Sequence, residues 1–211
     1  MGSLDGPSDE WPQTKIRIEQ PFWMGVHEIS NAQYAQFDPA HDSHVEPKQA
    51  YQFGVHGYPM DRPEQPVVRV SWDRAMAFCR WLSNKAGCTV TLPTEAQWEY
   101  AARAGSAMPF WFGGLDDDFG SYANMADVNI RKFASNPYTV DKAYPNATKY
   151  DDYMPRERRF DDGVLLTCEG GRYKPNPWGL CDMHGNAAEW TRSVLRSYPY
   201  DAADGREDAA A

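Results

Sequence analysis

A chain of 211 residues, 42% of them apolar, is long enough to bury a core as one domain. Its formal net charge of -9 is the wrong sign for a nucleic-acid backbone or an anionic membrane as the main partner, and it favours cations as company. No apolar run approaches the roughly 20 residues of a membrane span, and no charged-then-apolar stretch at the start resembles a signal peptide.

The abundance of Gly (16), Pro (16) and aromatic residues (14%) predicts a loop-rich fold held by large rings, with little regular secondary structure. Residues 15–22 alternate Ile16, Ile18 and an aromatic close with polar residues up to Pro21, the pattern of a short edge strand. Ser30 and Gln33 have capping-box spacing, which predicts a short helix carrying Tyr34 and Phe37 inward. Residues 38–65 are polar and rich in Pro, His and Gly, and are expected to form a surface insertion in which His41, His44 and His56 are solvated rather than metal-binding.

Residues 66–71 read as a short buried strand ending in an N-cap at Ser71. From there Trp72, Met76, Cys79 and Leu82 recur at helical spacing until Gly87. Thr94 and Gln97 form a second capping box, before a helix with Trp98 and Ala101, Arg103 in its last turn and Gly105 beyond. After Gly105 the periodicity ends. The run Asp116-Asp117-Asp118 lacks the 12-residue loop and closing Glu of an EF-hand and is expected to be a solvated acidic turn. Residues of about 128–160 mix Pro, Tyr and charges as a second insertion, and Asp161-Asp162-Gly163 can turn sharply and present a carboxylate.

The segment from Pro175 to Thr191 strings turn-forming residues, two tryptophans and the carboxylates of Asp182 and Glu189 along one short stretch. Gly179, Gly185 and Asn186 tolerate backbone conformations that turn several carbonyls toward one point, a ligand set suited to a hard cation such as calcium. A tight turn whose carboxylates cap backbone amides fits the same residues. Cys79, Cys88, Cys168 and Cys181 include no C-x-x-C pair and no zinc-finger spacing, so both free thiols and one or two disulfides fit. There is no internal repeat, P-loop, G-x-S-x-G or H-E-x-x-H, which takes support from ordinary hydrolase and nucleotide-binding readings.

Five segments together carry a family resemblance. They are Met1-Gly-Ser3, Val26-His-Glu-Ile-Ser-Asn-Ala-Gln-Tyr34, Pro66-Val-Val-Arg-Val-Ser-Trp72, Leu92-Pro-Thr-Glu-Ala-Gln-Trp-Glu-Tyr-Ala-Ala-Arg-Ala-Gly105 and Asn176-Pro-Trp-Gly-Leu-Cys-Asp-Met-His-Gly-Asn-Ala-Ala-Glu-Trp-Thr191. In this order they resemble the formylglycine-generating enzyme (sulfatase-modifying factor) family. The resemblance implies a single α+β domain over 1–211, irregular and C-type-lectin-like, with few short helices and strands and with structural calcium. Residue by residue it implies one calcium set of Asn124, the Met125 carbonyl, Asp162 and the Val164 carbonyl, and a second of Asp182, the Gly185 and Ala187 carbonyls, and Glu189.

Active family members oxidise a sulfatase cysteine to Cα-formylglycine, and bind copper(I) through a cysteine pair near the C-terminal end of the domain. That pair follows an Arg-Gly-Gly-Ser-aromatic segment and precedes a Gly-Phe-Arg strand, and neither segment stands in this sequence. The tail from Asp201 is expected to be a loop cut before its next strand, and the chain a piece of a longer polypeptide or one completed by a split partner. Copper(I) is therefore expected only with a downstream cysteine pair, and this chain alone is expected to be inactive. Cys79 stands where some relatives place a disulfide cysteine. Cys168 and Cys181 lie off the segment that carries the family's reactive thiols.

Two functions follow from the resemblance. One is an oxidase domain acting on a sulfatase or another protein substrate; the other is a non-catalytic, calcium-stabilised C-type-lectin-like binding module. A third relative, the iron-dependent sulfoxide synthases, needs an H-x-x-x-H-x-E motif that is absent here.

Overall fold

Each helix of the described residues starts where a side-chain oxygen takes an early amide. The computed structural model describes residues 1–3, 10–43, 59–129 and 157–208. Among these, three α-helices form: α1 (Asn31–Tyr34), α2 (Trp72–Ala86) and α3 (Glu95–Arg103). Ser30 caps α1 and Thr94 caps α3, each hydroxyl accepting from the amide three residues on while Gln33 or Gln97 reaches back to the cap amide. Ser71 accepts from the Arg74 amide at the start of α2, and Gly87 ends that helix in the left-handed conformation at φ 69°. All three helices lie where the capping residues and apolar spacing predict them. None is long and apolar enough to cross a membrane.

The chain divides into two compact units, each built from separate stretches of sequence. The first comprises Met1–Met24, Val70–Ala107 and Glu189–Ala211, and holds α2 and α3. Met76, Phe78 and Cys79 of α2 and Ala96, Ala101 and Ala102 of α3 are buried. The Trp72 indole donates to the Thr191 carbonyl at 2.9 Å and the Trp190 indole to that of Val70 at 2.9 Å, so the large rings also act as hydrogen-bonding struts. Residues 201–208 fold as turns around Arg206, which is 1% exposed, lies over the Tyr200 ring and donates to Asp204 and the Ser197 carbonyl. A long cation with an aromatic floor and two acceptors buries its stem and orders the backbone around it.

The second unit comprises Gly25–Arg69 and Met108–Ala188. It holds α1, and its other described residues form turns, bends and isolated bridges. Tyr34 is 2% exposed and meets Phe37 and His41 edge-on. A further cluster stacks Phe112 on Phe110 and Tyr122, with Trp111 and His184 at the edges. Asp116, Asp117 and Asp118 are exposed as expected, with Asp117 and Asp118 accepting from the Gly114 and Gly120 amides.

Neither expected strand forms. Among the described residues pairing is limited to three isolated bridges, Ser30 with Pro66, Phe110 with Gly113 and Asn124 with Gly185. Alternation marks a strand only where a neighbour supplies a ladder. Pro21 and Pro66 each lack the amide that would extend one.

Residues at the ends of the expected insertions are packed into the second unit. Gln65 is buried and donates to the carbonyls of Pro59 and Thr167. Asn129 and Glu157–Phe160 are built into the second unit, the Glu157 amide donating to the Ala126 carbonyl. His41 is half-buried and its Nε2 lies 2.8 Å from the Val68 carbonyl, so it is a packing residue and not a solvated one. His44 and His56 fall outside the described residues.

Candidate metal centre

Three carboxylates converge where the 124–129 and 161–164 segments meet in the second unit. Asp162 is 6% exposed; its Oδ2 accepts the Met125 amide at 2.7 Å and its Oδ1 the Val164 amide at 2.8 Å. Asp127, 1% exposed, accepts the Asn129 amide on one oxygen and the Asp162 amide on the other. Asp161 accepts from the Asn129 side-chain amide and from the amide of Gly163, whose φ of 80° makes the expected sharp turn.

Among the described residues no ion pair forms with Asp127 or Asp162. Burial pushes the Asp162 carboxyl up to about 6, against the pull of the two amides and with help from the neighbouring charges of Asp127 and Asp161. Two buried carboxylates without a cationic partner among the described residues are costly, and a hard divalent ion is the partner that oxygen-only surroundings suit.

Of the first expected ligand set, Met125, Asp162 and Val164 are thus brought together. The Met125 carbonyl also accepts the Asp127 amide at 2.8 Å. Asn124 is buried beside them, with its side-chain amide donating to the Leu166 carbonyl and to the Asn186 side chain. Asp127 was not foreseen. The only signal for it is local: an Asp two residues before an Asn, the spacing of a carboxylate that caps the following turn.

The second expected set has three members in this unit. Asp182 is 5% exposed, Ala187 is half-buried and Gly185 is exposed. Gly179, Gly185 and Asn186 take positive φ, as their residue types suggest, and Asp182 joins them at 55°. An L-residue there would drive its Cβ onto the Asn124 carbonyl at Gly185, so this close approach needs glycine. The Asn124 carbonyl accepts the Asn186 amide at 2.9 Å, which ties this loop to the 124–129 segment.

Asp182 Oδ2 accepts the Gly171 amide at 2.7 Å, and burial raises its carboxyl above the ordinary range. Both readings of this loop therefore find material in it: one oxygen caps an amide and the other stays available. Glu28, also not foreseen, accepts the Asn186 side-chain amide at 2.7 Å and the Ala187 amide at 3.0 Å. The fourth member, Glu189, belongs to the first unit, where it is exposed and accepts the Trp98 indole N–H.

All four cysteines are free thiols. Cys79 and Cys168 are buried, Cys88 is exposed and Cys181 is half-buried. Burial pushes the Cys168 thiol up to about 12, with the Asp182 and Glu169 charges adding to the effect, and raises Cys79 and Cys181 as well.

A family model described as the sulfatase-modifying factor enzyme 1-like domain matches residues 1–209. The chain belongs to that family: its loop-rich, few-helix fold is that of a formylglycine-generating-enzyme-like domain. It is 33% identical to the formylglycine-generating enzyme of Mycobacterium tuberculosis (strain ATCC 25618 / H37Rv) over 152 residues, 72% of this chain and 40% of that protein. It is 32% identical to the inactive C-alpha-formylglycine-generating enzyme 2 of Bos taurus over 68% of this chain and 36% of that one. The chain thus spans less than half the length of these relatives. Among solved structures, PvdO from Pseudomonas aeruginosa shares the fold with a TM-score of 0.66 at 24% identity, over 93% of this chain and 67% of that one.

Proposed function

We propose that this chain is the calcium-stabilised scaffold of a formylglycine-generating-enzyme-like domain, C-type-lectin-like in its architecture, which holds a protein substrate of the sulfatase class and does not by itself oxidise it. The observation that carries this reading is where the thiols stand. In the family the reactive pair lies on one segment that this sequence does not contain, whereas Cys79, Cys88, Cys168 and Cys181 are free and spread along the chain with no two of them four residues apart.

Calcium would be held by Asp162 with Asp127, the Met125 and Val164 carbonyls and Asn124, and at a second position by Asp182 with the Gly185 and Ala187 carbonyls. The ion supplies positive charge to buried carboxylates. The chain's own part is to aim the oxygens: the Met125 and Val164 amides orient Asp162, and the Asn129 and Asp162 amides orient Asp127. The likeness to a bovine relative that is itself inactive favours a second reading, a binding module that never oxidises its partner.

A cysteine-containing sulfatase peptide incubated with this chain, copper(I) and oxygen tests the proposal. Unchanged cysteine is expected, and formylglycine in the product overturns it. The same assay on the intact protein separates the two readings, since only an oxidase domain converts the peptide there.

A further inference from the structure

The segment before α1 and the loop around Cys181 bring together a set of donors unlike the oxygen clusters above. His27, Cys181 and Asp182 place one ring nitrogen, one sulfur and one carboxylate oxygen within 4.8 Å of one another. Backbone contacts hold each of the three. The Cys181 amide donates to the Val26 carbonyl at 2.9 Å, pinning the residue next to His27 against the loop. The His27 ring rests on the Gly170–Gly171 backbone so closely that a Cβ on Gly171 would stand 2.7 Å from its Cε1.

The Gly171 amide holds Asp182 Oδ2, which leaves Oδ1 buried with no hydrogen-bond partner in a residue 5% exposed. A buried carboxylate oxygen with no donor is rare in folded proteins and calls for a missing partner. Among the described residues this carboxylate shares its cluster of ligating side chains with an imidazole and a thiol.

We propose that His27, Cys181 and Asp182 form a site for a zinc-class divalent ion. The ligands are an imidazole nitrogen, a thiolate sulfur and Asp182 Oδ1, with a fourth position open to water or to a ligand. The donor set selects the ion: calcium takes oxygen ligands, copper(I) prefers soft sulfur, and a mixed nitrogen, sulfur and oxygen set suits zinc. Zinc bonds of about 2.0–2.3 Å place tetrahedral ligands about 3.3–3.8 Å apart, so closure takes about 1 Å of side-chain movement. The exposed His27 ring can supply it. Binding releases the Cys181 proton to solvent. The proposal goes beyond the calcium reading and shares only Asp182 with it.

The test is a titration of the intact protein carrying Cys88→Ser, which removes the exposed thiol, after chelation and then in excess calcium. Cobalt(II) serves as the spectroscopic probe and zinc as the competitor. A single equivalent of cobalt(II) is expected to give a thiolate-to-metal charge-transfer band that zinc abolishes. Cys181→Ser should remove the band. His27→Gln, at an exposed position and checked for folding by its melting temperature, should weaken zinc binding on the order of 100-fold. No charge-transfer band in the parent, or unchanged zinc affinity in His27→Gln, overturns the proposal. A band that survives while calcium leaves the melting temperature unmoved supports the zinc site and overturns the calcium reading, so the two fail separately.

Discussion

In the unit that holds α2 and α3, backbone polar groups are satisfied within helices and by their caps, and the tryptophans brace the flanking loops through indole hydrogen bonds. In the unit that holds residues 108–188, the same requirement falls on side chains: Asp127, Asp161, Asp162, Asp182, Asn176 and Glu28 between them accept the backbone amides of residues 129, 162–164, 171, 178 and 187. Helical hydrogen bonding is electrically neutral and complete in itself. Capping turns with carboxylates buries negative charge, which a bound cation would offset and which a helix-built unit does not accumulate.

The sharpest way to break this contrast is to remove a buried carboxylate. Asp127→Ala strips the acceptor from the Asn129 and Asp162 amides and should cost on the order of 3 kcal/mol in denaturant unfolding. A loss below about 1 kcal/mol would mean that the turns hold without it.

Calcium comes next. At about 100 times its dissociation constant it should stabilise the protein by about 2.7 kcal/mol, seen as a fall in melting temperature on chelation. Asp162→Asn should reduce that response by the share of the first calcium position, and a response retained in full would remove Asp162 from the ligand set. The helical unit should answer to a different change: Thr94→Ala deletes one half of a capping box and should cost about 1 kcal/mol, equally with and without calcium.

A further effect is the pH dependence of the metal-free protein. The Asp162 carboxyl titrates at about 6 in the fold against 3.8 ordinarily, so the folded state keeps a proton that the unfolded chain has released. Stability should therefore fall as pH rises from about 4 through about 6, and calcium should flatten the slope. A rise over that interval in metal-free protein, absent from Asp162→Asn, would reverse the assignment.

Much of the helical unit was legible because its signals are local. Ser71, Thr94, Gln97 and Gly87 each act within a turn of their own position, and the apolar period of α2 needs no knowledge of what it packs against. The strand pattern at residues 15–22 failed for the opposite reason, since alternation says that one face is buried and nothing about whether a neighbouring strand exists. The ligand loop was half legible. The positive φ of Gly179, Gly185 and Asn186 follows from residue type, whereas the positive φ of Asp182 does not.

What the sequence alone determined is the family, the helix boundaries and the residue types able to ligate a hard cation. Only the tertiary structure decided that Asp127 joins Asp162, that Glu28 braces the 186–187 backbone, that Arg206 orders the final turns, and that His27 meets Cys181 and Asp182. Caps and helical periods are enforced over a few residues. A shared ligand site joins oxygens, nitrogen and sulfur from segments up to 155 positions apart, His27 to Asp182, and only the folded path of the backbone brings such groups within reach.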